Sequence, residues 1–129
     1  MARLLLDTHA FLWWLAGDGA LSPLARTAIE DDGNPVFVSA ASTWEISTKY
    51  RIGKLPDVGL IVADLESVIS GQGFSTLPIS ARHGQAAGAM PGLHKNPFDR
   101  MLIAQAMVED LVLVSNELRF DVYGVRRLW

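Results

Sequence analysis

The sequence predicts an α/β fold, a three-layer α/β/α sandwich around a mainly parallel central sheet. Three observations carry this expectation. Short apolar runs of strand length alternate with stretches of helical periodicity along the whole chain. Several of these runs close on an acid or a serine able to cap the helix behind it. At 129 residues, 50% of them hydrophobic, the chain suffices for one well-buried core and leaves little room for a second.

The elements follow in order. Arg3-Leu4-Leu5-Leu6, ended by Asp7, is a buried strand, and Thr8 is expected to cap a helix that runs through Leu15 and stops at Gly17 and Gly19. Ser22-Pro23 opens a second helix to Asp32, with proline in its first turn and Gly33 behind it. Pro35 to Val38 reads as a strand, and Ser39 caps a helix to Ile52 and Gly53. Asp57 to Ser70 is expected to be one amphipathic helix, its stripe made of Leu60, Ile61, Leu65, Val68 and Ile69. Phe74 to Leu77 is a strand and Ser80 to Met90 a helix; Asn96-Pro97 opens an apolar helix ending near Asp110. Leu111 to Val114 is a strand, Glu117 to Phe120 a short helical turn, and Val125 to Leu128 the last strand.

Composition removes several classes of function. There is no cysteine, so thiolate nucleophiles, zinc–thiolate sites and disulfide frameworks are excluded. The opening Met-Ala-Arg-Leu-Leu-Leu-Asp is shorter than a signal peptide's apolar core, and no run approaches the roughly 20 apolar residues of a membrane span. The expectation is a soluble, cytoplasmic protein. A net charge of −3 argues against a broad basic face for nucleic acid, which leaves only local contacts through a few cations or a metal. Lys49, Arg51 and Lys54 form a small basic cluster suited to guiding RNA, or simply a solvated helix end.

In parallel sheets, sites form beyond the carboxyl ends of the strands, and four acids fall there. Asp7 ends the first strand, where it can also serve as a helix N-cap. Glu45 shares a helical stripe with Ala41, Thr48 and Ile52; the alternative for it is an i,i+4 pair with Lys49. Asp99 stands third in the helix capped by Asn96, a position that the helix dipole favours in any protein. Glu117 follows the fourth strand in Ser115-Asn116-Glu117, where Ser115 can cap a short helix. Each acid alone has a structural explanation. Together they make a set of carboxylates that repel unless a cation compensates, and an all-oxygen set favours a hard cation such as Mg²⁺ or Mn²⁺. Such ions act on phosphates, so phosphodiester hydrolysis is the indicated reaction.

The stretches Leu5-Leu6-Asp7-Thr8-His9, Ser42-Thr43-Trp44-Glu45-Ile46 with Lys49, Asn96-Pro97-Phe98-Asp99-Arg100 and Phe120-Asp121-Val122-Tyr123-Gly124-Val125 resemble PIN domains of the VapC type, in order and over essentially the whole chain. The resemblance implies a single PIN-like domain over residues 1–129 with Mg²⁺- or Mn²⁺-dependent endoribonuclease activity. It places the catalytic and metal-binding quartet at Asp7, Glu45, Asp99 and Glu117. It also implies a toxin paired with a VapB-like antitoxin, and a homodimer. Two positions depart from the pattern: Glu117 stands where aspartate is usual, and Asn96 replaces an aspartate, removing a charge. Thr8 and Ser115 are candidates for orienting a carboxylate or a metal-bound water, as well as for capping. His9 and His94 are read as structural. Phe11, Leu12, Trp13 and Trp14 give the first helix more apolar surface than one small domain is expected to cover, which suggests a partner chain. The rival readings are a receiver-like phosphoryl-transfer domain and a PIN-like binding module with impaired catalysis. The first lacks an acid after the third strand; the second is distinguished by the absence of metal-dependent cleavage.

Overall fold

The computed structural model describes residues 1–92 and 95–129. Five parallel strands form one sheet: β1 (Leu4–Leu6), β2 (Val36–Ser39), β3 (Ser75–Leu77), β4 (Val112–Val114) and β5 (Arg127–Leu128), in the order β3-β2-β1-β4-β5. The connecting helices are α1 (Thr8–Ala16), α2 (Pro23–Glu30), α3 (Ala40–Arg51), α4 (Leu65–Gly71), α5 (Ala81–Ala89) and α6 (Pro97–Val108). Among the described residues no helix is long and apolar enough to cross a membrane.

Strand alternation explains the two cores. Leu4 and Leu6 point to one face of the central strand, where they pack with Phe11, Ile29, Ile46 and Ile69 from α1 to α4. Leu5 points to the other, against Leu102, Ile103 and Ala106 of α6 together with Phe120 and Val125. All three leucines are fully buried, as a middle strand covered on both faces requires. The chain winds outward from β1 through β2 to β3, then crosses back through α5 and α6 to place β4 on the other side of β1. The order therefore reverses between β1 and β4, a topological switch point.

Two expectations are corrected. Asp57 to Ser70 is not one helix: it forms short 3₁₀ turns at Pro56–Val58 and Val62–Asp64, and only then α4, capped by Asp64 accepting from Ser67 N at 3.1 Å. The β-branched Val58 and Val62 and the flexible Gly59 weaken a continuous helix, and Leu60, assigned to the buried stripe, is 99% exposed. Thr8 is not the cap of α1. Asp7 holds that role from an extended backbone (φ −73°, ψ 172°), its carboxylate accepting from Ala10 N at 2.7 Å, and the Thr8 hydroxyl is thereby released for other use. Other boundaries agree within a residue or two, apart from the short helical turn after β4, which runs on to Tyr123 instead of ending at Phe120.

Candidate metal centre

The switch point is built from the backbone upward. Asp7 N donates to Val114 O at 3.0 Å, carrying the β1–β4 ladder one residue past the strands, and Ser115 N donates to Leu128 O at 3.2 Å. Asp7 and Ser115 are thus fixed side by side. Ser115, fully buried, hydrogen-bonds the Asp7 carboxylate with its hydroxyl and accepts from Glu117 N at 3.0 Å. The short 3₁₀ helix that follows, Leu118–Tyr123, is capped by Glu117 and not by Ser115, because the Glu117 carboxylate itself accepts from Arg119 N at 3.1 Å. Asp99 enters from α6, where the Asn96 side chain accepts from both Phe98 N (2.9 Å) and Asp99 N (3.3 Å). Asparagine at 96 caps as aspartate would.

These elements enclose a cleft of about 220 Å³ whose walls include Asp7, Thr8, Glu45, Asp99 and Glu117, together with His9, Lys49, Asn96, Asn116 and Arg119. All four sequence-predicted acids therefore reach one space. Glu45 is 2% exposed and Asp7 7% exposed. Glu45 accepts from the Thr8 hydroxyl at 2.6 Å and from Lys49 Nζ at 2.5 Å, one donor on each oxygen, while Thr8 also lies 3.0 Å from Ser42 Oγ. Glu117 takes a two-pronged contact from Arg119, Nε at 3.0 Å and Nη2 at 2.9 Å. Asp7 and Asp99 are close enough for the charge of one to act on the other. The Asp7 carboxyl is held above its ordinary value of 3.8, first by burial and in part by the Asp99 charge, against the opposing pull of the Ser115 hydroxyl, the Ala10 amide and His9.

The donor chemistry fits a hard divalent cation. The donors are all oxygen, and a cation between Asp7 and Asp99 would offset the burial and repulsion that now disfavour ionised Asp7. Among the described residues no three acidic or imidazole groups converge on a single point. Glu45 is paired with Lys49 and Glu117 with Arg119. Arg119 is 73% exposed, and an ion pair so exposed contributes little to stability.

Several participants were not evident from sequence. Arg127 donates to Ser115 O at 3.0 Å and to Asp121 Oδ1 at 2.8 Å, tying the loop that carries Glu117 to the last strand. The Asp121 carboxyl is correspondingly held below its ordinary 3.8 by the Arg127 guanidinium. Behind the sheet edge, Ser39 Oγ donates to Gln105 Oε1 at 2.5 Å, and Gln105 Nε2 lies 3.3 Å from both Pro78 O and His83 Nδ1. This buried network joins the start of α3 to α5 and α6. His9 stacks near Trp13, ring centroids 5.5 Å apart. His94 lies outside the described residues.

Fold and site together define a parallel α/β domain with an acidic cleft at its switch point. Residues 4–125 match the PIN domain family, and the chain belongs to that family. The structure is similar to that of VapBC2 from Rickettsia felis bound to a DNA fragment from its promoter, with a TM-score of 0.72 and 15% identity over 98% of this chain and 97% of that one. It is similar also to DNA-bound VapBC from Salmonella typhimurium, at a TM-score of 0.71 and 20% identity over 99% and 98% of the two chains. At these identities the likeness establishes the shared fold. In sequence, 31 residues are 52% identical to the ribonuclease VapC16 of Mycobacterium tuberculosis, which is 24% of this chain and 22% of that protein. The match spans about a fifth of that relative's length.

Proposed function

We propose that this PIN domain is a divalent-cation-dependent endoribonuclease of the VapC type, the toxin of a toxin–antitoxin pair acting on RNA in the cytoplasm. The observation that carries the reading is the juxtaposition of Asp7 and Asp99 at the switch point, where burial and the Asp99 charge both raise the Asp7 carboxyl. Asp7 and Asp99 would be the principal ligands of Mg²⁺ or Mn²⁺, with Glu45 and Glu117 completing the acidic set. When bound, such an ion neutralises phosphate charge and acidifies a water for in-line attack. The chain's own part is to hold that geometry. Ser115 and Ala10 N orient Asp7, Asn96 starts the helix that presents Asp99, and Thr8 fixes Glu45. Ser115 and Thr8 thus act through the carboxylates they bind.

Apolar surface supports the partners. Trp44 is 60% exposed and meets Phe98 edge-on at 4.8 Å, beside a groove of about 250 Å³ that Ile79, Ala87 and Met101 also line. Trp13 and Trp14 pack on the core while remaining partly accessible. A second copy of the chain and a VapB-like antitoxin segment are the proposed occupants of such surfaces.

The experiment is cleavage of a mixed RNA pool by the purified protein with Mn²⁺, with Mg²⁺ and with EDTA, alongside Asp99→Asn. Metal-dependent cuts that vanish in the variant are expected. A metal-loaded protein, free of any antitoxin, that leaves the pool intact would instead indicate a binding module without turnover.

A further inference from the structure

The two cations that face the acids of the cleft are held in different ways. Arg119 is mostly exposed and grips its near neighbour Glu117. Lys49 is anchored from below by Glu45, a carboxylate buried to 2% exposure with a short donor on each oxygen, Thr8 Oγ1 at 2.6 Å and Lys49 Nζ at 2.5 Å. Burying a charge is costly, and an ion pair so placed is weak evidence of a stability role. What the pair does secure is the position of the ammonium. Lysine has a flexible stem and three donors; tying one donor to Glu45 fixes the head of a residue that lines the same cleft as Asp7, Asp99 and Glu117. A fixed cation on an acidic wall can do for phosphodiester hydrolysis what no carboxylate can, which is to meet negative charge on a phosphate oxygen without reorganising.

We infer that Lys49 is a catalytic cation that contacts a non-bridging oxygen of the scissile phosphate, and that Glu45 is the positioning residue that holds it there and not a ligand of the divalent ion. The inference rests on the proposed reading of the cleft as an RNA-hydrolysing site. In the step concerned, a water oxygen bonds to phosphorus as the bond from phosphorus to the leaving ribose oxygen breaks. The water's proton passes to solvent, the leaving oxygen takes one from solvent, and Lys49 meets the charge that builds on the non-bridging oxygen.

The test combines Mn²⁺ binding by calorimetry with RNA cleavage for Lys49→Met, Lys49→Arg, Glu45→Gln, the double variant Glu45→Gln/Lys49→Met, and Asp99→Asn. Lys49→Met is expected to lose about 10²-fold in kcat, with Mn²⁺ affinity no weaker than wild type because a competing positive charge is gone. Lys49→Arg recovers part of the rate. Glu45→Gln slows cleavage while keeping Mn²⁺ affinity, and the double variant is no slower than Lys49→Met, since Glu45 acts through the lysine. Lys49→Met leaves a buried charge unpaired; should it fail to fold, the neutral double variant decides, by binding Mn²⁺ as wild type does and cutting about 10²-fold more slowly. Mn²⁺ affinity lost in Glu45→Gln as fully as in Asp99→Asn overturns the inference, as does wild-type cleavage by a variant lacking Lys49. If the wild-type protein itself neither binds Mn²⁺ nor cleaves, the reading of the site falls first and Lys49's role with it.

Discussion

Asp7 is placed where stability and function oppose one another, and Asp7→Asn separates them. The carboxylate is 7% exposed, and its net environment favours the neutral acid. Confining a charge at such depth costs several kcal/mol, roughly 4. Against this stand the extra strength of two hydrogen bonds to a charged acceptor, from Ala10 N and the Ser115 hydroxyl, at about 1 kcal/mol each. The favourable end of the α1 dipole adds about 0.5 kcal/mol. Asparagine keeps the cap and can still bond Ser115, so the variant should be more stable by about 1–2 kcal/mol, or about 3–8 °C in Tm for a chain of this size. The sign with pH follows from a folded-state value raised above 3.8. Relative to the variant, the wild-type protein is at full stability below that value and loses ground as pH rises through the raised one. The difference therefore closes in acid and widens as pH rises. Divalent cation should reverse the order. At a concentration of 100 times its Kd, Mn²⁺ adds about 2.7 kcal/mol to a protein that binds it. That exceeds the gain from the asparagine substitution, while a variant lacking the ligand gains little. Thermal melts of both proteins in EDTA and in saturating Mn²⁺, at neutral pH and at about pH 3, make the comparison. An Asp7→Asn variant less stable than wild type in EDTA at neutral pH, or one still the more stable in Mn²⁺, would refute the reasoning.

Two further outcomes are expected. Gln105→Leu leaves the buried Ser39 hydroxyl and Pro78 carbonyl without their partner and should cost about 3 kcal/mol in urea unfolding with an unchanged m-value. Arg127→Met releases the Ser115 carbonyl and Asp121, so cleavage should fall while stability changes by about 1 kcal/mol, a separation that melts and single-turnover assays on one preparation detect.

The parts of this fold legible in the sequence are those set by local chemistry. The apolar run at Leu4 to Leu6, the capping serines at 22 and 39, and Asn96 with Pro97 each dictate their own element within a few residues. The parallel order follows because every strand is separated from the next by a helix. Asp57 to Ser70 misleads because its apolar spacing matches a helix, while Gly59 and the β-branched neighbours resist one; periodicity carries no information about which constraint prevails. At the site, the four acids are legible because strand ends converge in parallel sheets. Their partners are not. Sequence leaves open whether Glu45 pairs with Lys49 or serves the site, and the contact with Lys49 is present inside the cleft itself. Thr8 reads as a cap because a hydroxyl after a strand usually fills one; only the packing of α1 against α3 brings it to Glu45, 37 residues away. His83 and Gln105, joined to Ser39 across the sheet edge, carry no local signal at all.

Whether the acids at the carboxyl edge of the sheet form one divalent-cation site can be read without any assumption about the RNA. Isotope-labelled protein is titrated with Mn²⁺, and paramagnetic broadening of its backbone amide resonances is followed. Thr8, Asp99, Ser115 and Glu117 are expected to broaden first, while Asp110 and Arg126, at the opposite edge, keep their lines; the pattern should vanish in Asp99→Asn. Broadening centred elsewhere, or unchanged in the variant, would contradict a shared site.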